Sequence, residues 1–167
     1  MDYRNYYNLE EYLFREVGPK FRKEGVLSTA DFFCVVIWKA NRSKTKIKKK
    51  LSKDKSLAVS VKEISTAIAN AKTKEEKLDV LRKEWKFGLP MATAILSVLY
   101  PEEFTVYDYR VRKQLQLRDI YSSKKYFTEF LPQVITYKNS KGISLREADK
   151  ELWGKSAYDD LMKLIGT

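Results

Sequence analysis

The segment that most constrains the fold is WKFGLPMATAILSVLYPEEFTVYDYRVR, residues 85–112. Apolar residues at helical spacing predict a helix that ends at Trp85, and Gly88 interrupts the chain shortly afterwards. Pro90 suits the first position of a second helix, because the backbone N–H there has no intrahelical partner, and Pro101 stops that helix. The sequence therefore predicts a helical hairpin over about residues 74–100.

Helix-start signals recur along the rest of the chain. Caps are predicted at Asn8, Ser28, Ser60, Thr73, Asp108, Ser123, Ser144 and Ser156. Gly18-Pro19 is expected to end the first helix, and residues 32–38 (FFCVVIW) fit a buried helix or a strand. Residues 42–55 are strongly basic and are expected to form a solvated linker or a mobile loop, either of them helical in part. The patterns predict one all-α domain, 1–167, a two-lobed bundle of about nine short helices.

The composition argues against several classes of protein and of catalytic site. The 167 residues are 44% hydrophobic, which suits a single domain with a real core. The chain has no long apolar run and no signal-peptide pattern at its N-terminus, so we expect a cytoplasmic protein without a membrane span. It has no histidine and one cysteine, Cys34, which argues against the usual zinc sites, Ser-His-Asp triads and a four-cysteine iron–sulfur cluster. A net charge of +11 suits DNA, RNA or an anionic membrane surface.

The hairpin and the acid after it carry the functional hypothesis. The first backbone N–H groups of the second helix are unpaired, so they can bind a DNA phosphate, with Lys83 and Lys86 beside them. The alternative is an ordinary helical hairpin ended by Gly88. Asp108 follows in an aromatic and basic neighbourhood, where it can act as a catalytic acid or only as a helix cap.

The sequences GLPMATAIL and VYDYRV together resemble the signature of the helix-hairpin-helix, Gly/Pro-rich-loop, Asp superfamily of base-excision DNA glycosylases. Gly88 and Pro90 match its hairpin loop, and Thr93-Ala94 matches the Thr-Ala that follows. The segment Val106-x-Asp108-x-x-Val111 matches the segment of the catalytic aspartate. The resemblance implies hydrolysis of the N-glycosidic bond of a modified base, with Asp108 stabilising positive charge on the sugar.

Departures from the family pattern refine this expectation. Proline stands at position 90, where many members have a second glycine, so one backbone donor is lost. Bifunctional members carry a lysine just before the Thr-Ala, and here that residue is Ala92, so the resemblance implies a monofunctional N-glycosylase without the lyase lysine. Lys39 and Lys124 remain as displaced lysines that the sequence does not otherwise support. The resemblance also implies a monovalent cation at the hairpin carbonyls near Lys86 and Gly88, and no other cofactor.

Site residues follow from these arguments. The expected DNA contacts are Lys83, Lys86, Phe87, Gly88, Leu89, Met91 and Arg110. An extruded base needs an aromatic pocket, for which Trp38, Tyr107 and Tyr109 are the candidates. Arg110 and Arg112 are expected to keep Asp108 ionised. The expected partner of this monomer is double-stranded DNA, and the alternatives are a non-catalytic helix-hairpin-helix DNA-binding module and a helical scaffold with incidental charge.

Overall fold

A computed structural model describes residues 3–166, and those residues contain helices and no strand. The α-helices are α1 (Arg4–Tyr7), α2 (Leu9–Tyr12), α3 (Gly18–Glu24), α4 (Thr29–Ala40), α5 (Lys44–Leu51), α6 (Leu57–Asn70), α7 (Lys74–Asp79), α8 (Leu89–Leu99), α9 (Tyr109–Gln114), α10 (Ser123–Lys125), α11 (Leu131–Lys141) and α12 (Leu145–Ile165). The prediction of an all-α fold is confirmed. Residues 32–38 lie inside α4, so the strand alternative is wrong.

Three π-helical segments, Leu13–Val17, Val80–Glu84 and Tyr126–Phe130, extend or join these helices. The first carries α2 into α3 without a break, so the prediction that Gly18-Pro19 ends the helix is wrong. The N–H of Gly18 bonds to the carbonyl of Leu13 across a wide turn, which lets a helical chain continue into Pro19. Gly18 is needed for close packing, since a Cβ there would lie 2.4 Å from the carbonyl oxygen of Val98.

The basic segment contains a helix, which the sequence reading allowed for part of it. Residues 41–43 form a 3₁₀ turn, and α5 follows with its lysines exposed. Ile47 and Leu51 are one turn apart and buried, so the segment presents an apolar face to the core and a charged face to water. The cap of α6 was also misplaced: Ser56 caps the helix, and the buried hydroxyl of Ser60 donates to the carbonyl of Leu51 at 2.6 Å.

Most of the other predicted helix caps are confirmed, and those that fail are few. Caps at Asn8, Ser28, Thr73, Asp108 and Ser144 are confirmed. The cap predicted at Ser123 falls one residue earlier, on Ser122. The cap predicted at Ser156 is wrong, because α12 runs unbroken through that residue and buries it completely.

The helices pack in two groups around one hydrophobic core. The first group surrounds α8, which contacts α3, α4 and α7 and is buried from Met91 to Leu99. The second consists of α9 and α11, each packed on α12. Leu145, Ala148 and Leu152 of α12 belong to the same core cluster as the buried residues of α8, so the two groups share one interior. Within residues 3–166, no helix is both long and apolar enough to cross a bilayer.

Candidate active site

A cavity of about 560 Å³ lies where α2 and α4 face α12, within the usual size range of small-molecule sites. The residues that line it come from four separate parts of the chain: Glu10, Trp38, Lys39, Val106, Asp108, Arg146, Asp149, Lys150 and Trp153. The walls therefore combine two indole rings with a set of carboxylate, ammonium and guanidinium groups. Such a cavity suits a flat, polar ring.

Asp108 sits in this cavity with both carboxylate oxygens engaged. Oδ1 accepts a hydrogen bond of 2.9 Å from the backbone N–H of Arg110, which makes Asp108 the N-cap of α9. Oδ2 is 2.6 Å from the Nζ of Lys39, and the two side chains are 22% and 15% exposed. The cap fixes the rotamer of the carboxylate, and the ammonium of Lys39 neutralises its charge inside a partly dry site.

The segment that carries Asp108 is fastened to the hairpin helix. The hydroxyl of Thr93, buried in α8, donates to the carbonyl of Leu89 at 2.8 Å and accepts the backbone N–H of Tyr107 at 2.9 Å. On the other side, the hydroxyl of Tyr126 accepts the N–H of Thr105 at 3.1 Å and donates to its carbonyl at 2.8 Å. Residues 105–108 are thus held between α8 and the helix that begins at α10.

Arg146 organises the opposite wall. Its guanidinium is hydrogen-bonded to Asp149 and lies 3.0 Å from the carboxylate of Glu10. The same group lies over two aromatic rings, 5.1 Å from the centroid of Phe14 and 5.2 Å from that of Trp38. These contacts join α2, α4 and α12 and hold the indole of Trp38 against the cavity.

Asp149 and Asp108 share the cavity in different environments. Asp149 is only 4% exposed, and burial raises the pKa of its carboxyl to about 6. Arg146 and Lys39 oppose this rise in pKa, while the negative charge of Asp108 adds to it. In enzymes that use two neighbouring carboxyl groups, the group whose pKa is raised can act as the acid, while the other acts as the anion.

Only one of the three aromatic residues predicted to form the base pocket lines the cavity. Trp38 lines the cavity, as expected, and Trp153, which sequence reasoning had not selected, lines it too. Tyr107 and Tyr109 are not among the lining residues. The ring of Tyr107 is buried against Phe130 at 5.0 Å, and Tyr109 is 60% exposed on the outside of α9. Flanking Asp108 in sequence therefore does not place either ring beside it.

The expected cationic partners of Asp108 were also wrong. Arg110 bonds to Asp160 of α12 at 2.7 Å, with its guanidinium 5.3 Å from the ring centroid of Trp153. Arg112 pairs with Asp119 at 3.0 Å. The first turns of α9 direct both side chains towards other partners, so the cation beside Asp108 is Lys39, 69 residues away in sequence.

The hairpin turn lies apart from the cavity, since no residue from 85 to 91 lines the cavity. Lys86, at φ +52°, is the left-handed residue of the turn, and Gly88 has ordinary extended angles and is the N-cap residue of α8. The side chains of Phe87, Leu89 and Met91 are at most 8% exposed and belong to the core. A DNA contact at these three positions is therefore limited to their backbone.

The turn carbonyls already have partners within the chain. The carbonyl of Trp85 accepts the ammonium of Lys50 from α5, which also lies 4.5 Å from the ring centroid of Phe87. The carbonyl of Phe87 accepts Arg82 at 2.8 Å. The carbonyl of Gly88 accepts the N–H groups of Met91 and Ala92, at 3.1 and 2.9 Å. Side-chain cations and helix N–H groups thus bind these oxygens near the site where a monovalent cation was expected.

Lys50 brings positive charge onto the turn. Partial burial lowers its pKa, and the nearby ammonium groups of Lys46 and Lys86 lower it further. We call Lys46, Lys50 and Lys86 the basic turn surface. Lys83, the other expected phosphate contact, is exposed and pairs with Asp79 one turn earlier at 2.7 Å.

Metal chemistry has no obvious side-chain site in the part of the chain that the structure describes. Residues 3–166 contain no group of three or more Asp, Glu, Cys or His side chains arranged to hold a metal ion. Cys34 is buried in α4, where burial raises the pKa of its thiol. Comparisons of the chain with protein-family models, curated proteins and solved structures found no match.

Proposed function

We propose that this protein is a monofunctional DNA glycosylase that hydrolyses the N-glycosidic bond between deoxyribose and a modified base. The observation that carries the proposal is the placement of Asp108, a capped and partly buried carboxylate in a cavity with two indole walls. A base-excising enzyme needs a pocket for the extruded base and a carboxylate beside its sugar. The resemblance of residues 85–112 to the glycosylase signature agrees with this assignment.

In the proposed reaction, the extruded base enters between Trp38 and Trp153. As the bond to the base breaks, positive charge develops on the sugar ring, and the Asp108 carboxylate stabilises it. The same carboxylate orients the water that attacks C1′. Lys39 forms an ion pair with this carboxylate, with its Nζ 2.6 Å from Oδ2 of Asp108.

Asp149 supplies the second part of the chemistry. A base leaves more easily when it is protonated, and a carboxyl group with a pKa of about 6 retains its proton in mildly acidic solution. Asp149 lines the same cavity as Asp108, on the wall formed by α12. In this proposal Asp149 protonates the departing base while Asp108 acts on the sugar.

DNA binding is assigned to the basic turn surface and to the start of α8. The net charge of +11 provides long-range attraction for the phosphate backbone. Lys86 and Gly88 are exposed at the turn, and Lys46 and Lys50 of α5 extend the positive surface beside them. These groups contact phosphates and not base edges, so they position the duplex without selecting its sequence.

A non-catalytic DNA-binding module is the second candidate. It is favoured by the fact that both oxygens of Asp108 have intramolecular partners, the N–H of Arg110 and the ammonium of Lys39. A carboxylate that only caps α9 and pairs with Lys39 needs no substrate to explain it. The two candidates predict the same DNA affinity and differ only in base release.

The test is base release from duplex DNAs that each carry one modified base, followed by hot alkali to cleave the resulting abasic sites. We expect cleavage of at least one substrate, and a fall of about 10²–10³-fold in its rate in Asp108→Asn. Asparagine caps a helix as well as aspartate does, so folding is retained. Asp119→Asn is the matched control, because Asp119 is an exposed carboxylate paired with Arg112. DNA binding without base release from any substrate would favour the non-catalytic module.

A further inference from the structure

The positive charge of this protein is concentrated in one segment. Residues 42–55 contain eight lysine and arginine residues and one acid, Asp54, so this segment carries +7 of the net charge of +11. The other 153 residues carry +4. The chain is therefore not uniformly basic, and most of its attraction for a polyanion comes from this segment and the helix α5 within it.

The basic side chains of this segment lack the acidic partners that several other surface lysines have. Lys83, for example, pairs with Asp79 at 2.7 Å. Within residues 3–166, one ion pair involves the segment, and it joins Lys55 to Glu63 at 2.6 Å. Like charges one helical turn apart repel one another, so the repulsion along α5 is relieved when anions from outside the chain bind.

The lysines of α5 form two rows along its exposed side. Ile47 and Leu51 are buried and fix the side of the helix that faces the core. The lysines are all exposed, and those one turn apart share an edge of the exposed side. The edge beside the hairpin turn carries Lys46 and Lys50, and the opposite edge carries Lys44 and Lys48.

The helix α5 connects the cavity to the hairpin turn along the chain. It begins five residues after Lys39, which lines the cavity. Near its other end, the ammonium of Lys50 bonds to the carbonyl of Trp85, and that of Lys55 lies 5.8 Å from a ring centroid of the same tryptophan. Its eight residues, at a rise of about 1.5 Å each, span about 12 Å. One basic helix thus joins the two regions of the proposed function.

The shape of α5 suits a nucleic-acid duplex and not an anionic membrane. A membrane-surface helix presents its apolar residues to the bilayer, whereas Ile47 and Leu51 are at most 8% exposed and pack in the core. The two rows of lysines lie on opposite edges of a cylinder that is about 10–12 Å across with its side chains, and the major groove of B-DNA is about 12 Å wide. The rows therefore match the phosphates on the two sides of a groove.

We propose that α5 lies along a groove of duplex DNA, with the lysine row beside the turn bound to phosphates of one strand and the opposite row bound to phosphates of the other strand. The inference rests on the proposed function for its partner, DNA. It adds a contact with the second strand, which the basic turn surface does not reach. Binding of phosphates to both rows neutralises the charge that the segment itself leaves unpaired.

The test compares a duplex with one of its two strands, by fluorescence anisotropy across a series of salt concentrations. For Lys44→Gln/Lys48→Gln, we expect the slope of log affinity against log salt to fall by about 1.8 with the duplex, since each phosphate contact contributes about 0.9. With the single strand we expect the wild-type slope, because one strand occupies only the row beside the turn. Glutamine has nearly the helix propensity of lysine, so the thermal melt is expected to be unchanged.

The variant Lys46→Gln tests the row beside the turn. It is expected to lower the slope by about 0.9 with the duplex and by about 0.7 with the single strand. Lys155→Gln/Lys163→Gln is the matched control, because both are exposed lysines of α12 for which the structure describes no acidic partner. It removes the same charge as the double variant of α5 and is expected to leave both slopes unchanged.

A wild-type slope with the duplex in Lys44→Gln/Lys48→Gln would overturn the proposal. A fall in its slope with the single strand as well would also overturn it, since both rows would then follow one strand. Binding to vesicles of phosphatidylserine and phosphatidylcholine that is lost in both α5 variants, with no change in their duplex slopes, would assign the surface to lipid instead.

Base release separates this inference from the proposed function. Base release by a double variant that keeps the wild-type duplex slope would overturn the role of α5 and leave the glycosylase intact. The expected slopes without base release from any modified base would support the role of α5 and count against the glycosylase.

Discussion

The hairpin turn and the Asp108 cavity differ in how they are built. The turn is one contiguous segment, residues 85–88, and its carbonyls accept hydrogen bonds from Lys50, Arg82 and the N–H groups at the start of α8. No single stretch of sequence forms the cavity, because its walls come from α2, α4, α12 and the segment before α9. The turn is therefore a local structure that presents backbone and charge, whereas the cavity is a tertiary structure that presents side chains.

Under the proposed function, this difference separates DNA binding from base release. No residue from 85 to 91 lines the cavity, so we expect a change at the turn to alter DNA affinity without altering the side chains of the cavity. One described hydrogen bond, from the N–H of Tyr107 to the hydroxyl of Thr93, joins the segment that carries Asp108 to α8, the helix that follows the turn. Three substitutions, given in order of decreasing expected effect, test whether the turn and the cavity act separately.

Thr93→Val cuts the link between the regions. It leaves the buried N–H of Tyr107 without an acceptor, which we expect to cost about 1–3 kcal/mol of stability and to loosen Asp108. Urea denaturation measures the stability, and DNA affinity is expected to stay unchanged while base release falls. Thr136→Val is the control, because the Thr136 hydroxyl makes the same bond to a carbonyl four residues earlier on an exposed helix face. Equal losses in the two variants would show that Thr93 is no special link.

Asp149→Asn alters only the cavity. The native pKa of Asp149 is raised, so the folded state binds more protons than the unfolded state between the ordinary pKa and about 6. Wild-type stability is expected to fall as pH rises through this window, by at most about 1.4 kcal/mol per pH unit, and the Asn variant to lack that slope. Base release by the wild type is expected to fall as pH rises through about 6.

Denaturation and base release measured from about pH 4 to pH 8 check both expectations for Asp149. Asp159→Asn is the control, an aspartate of α12 bonded to Gln114. Superimposable wild-type and Asp149→Asn profiles would contradict the role of Asp149 as the acid.

Lys86→Asn alters only the turn. Asparagine tolerates the positive φ of this residue, so folding is retained. Loss of one phosphate contact is expected to lower the slope of log affinity against log salt by about 0.9, with base release at saturating protein unchanged. Fluorescence anisotropy across a salt series measures the slope, and Lys155→Gln on α12 serves as the control. A slope equal to that of the wild type would remove Lys86 from the DNA interface.

Sequence reasoning succeeded where the determinants are local. Capping residues at Ser28, Thr73, Asp108 and Ser144 bond to N–H groups a few residues away, so a short window of sequence contains the whole interaction. It failed where tertiary packing decides. Ile47 packs the basic helix α5 against the core, and α12 continues through Ser156. Neither contact can be read from a short window of sequence.

The same division holds for the site. Asp108 and Trp38 were selected from the sequence, and both line the cavity. The roles of Lys39, Asp149 and Glu10 could not be derived, because their proximity to Asp108 depends on how α2, α4 and α12 pack. The signal in the sequence for that wall was the charged run from Arg146 to Glu151, with Trp153 two residues later.

The ammonium of Lys50 on the carbonyl of Trp85 has a consequence for how the turn responds to its surroundings. An alkali ion drawn from solution binds in proportion to its concentration and can be exchanged for one of another radius. A tethered ammonium has a fixed local concentration and a fixed size, whatever the buffer contains. We therefore expect the turn to have the same shape in sodium and in potassium buffers, and only the screening of its charge to follow the ionic strength.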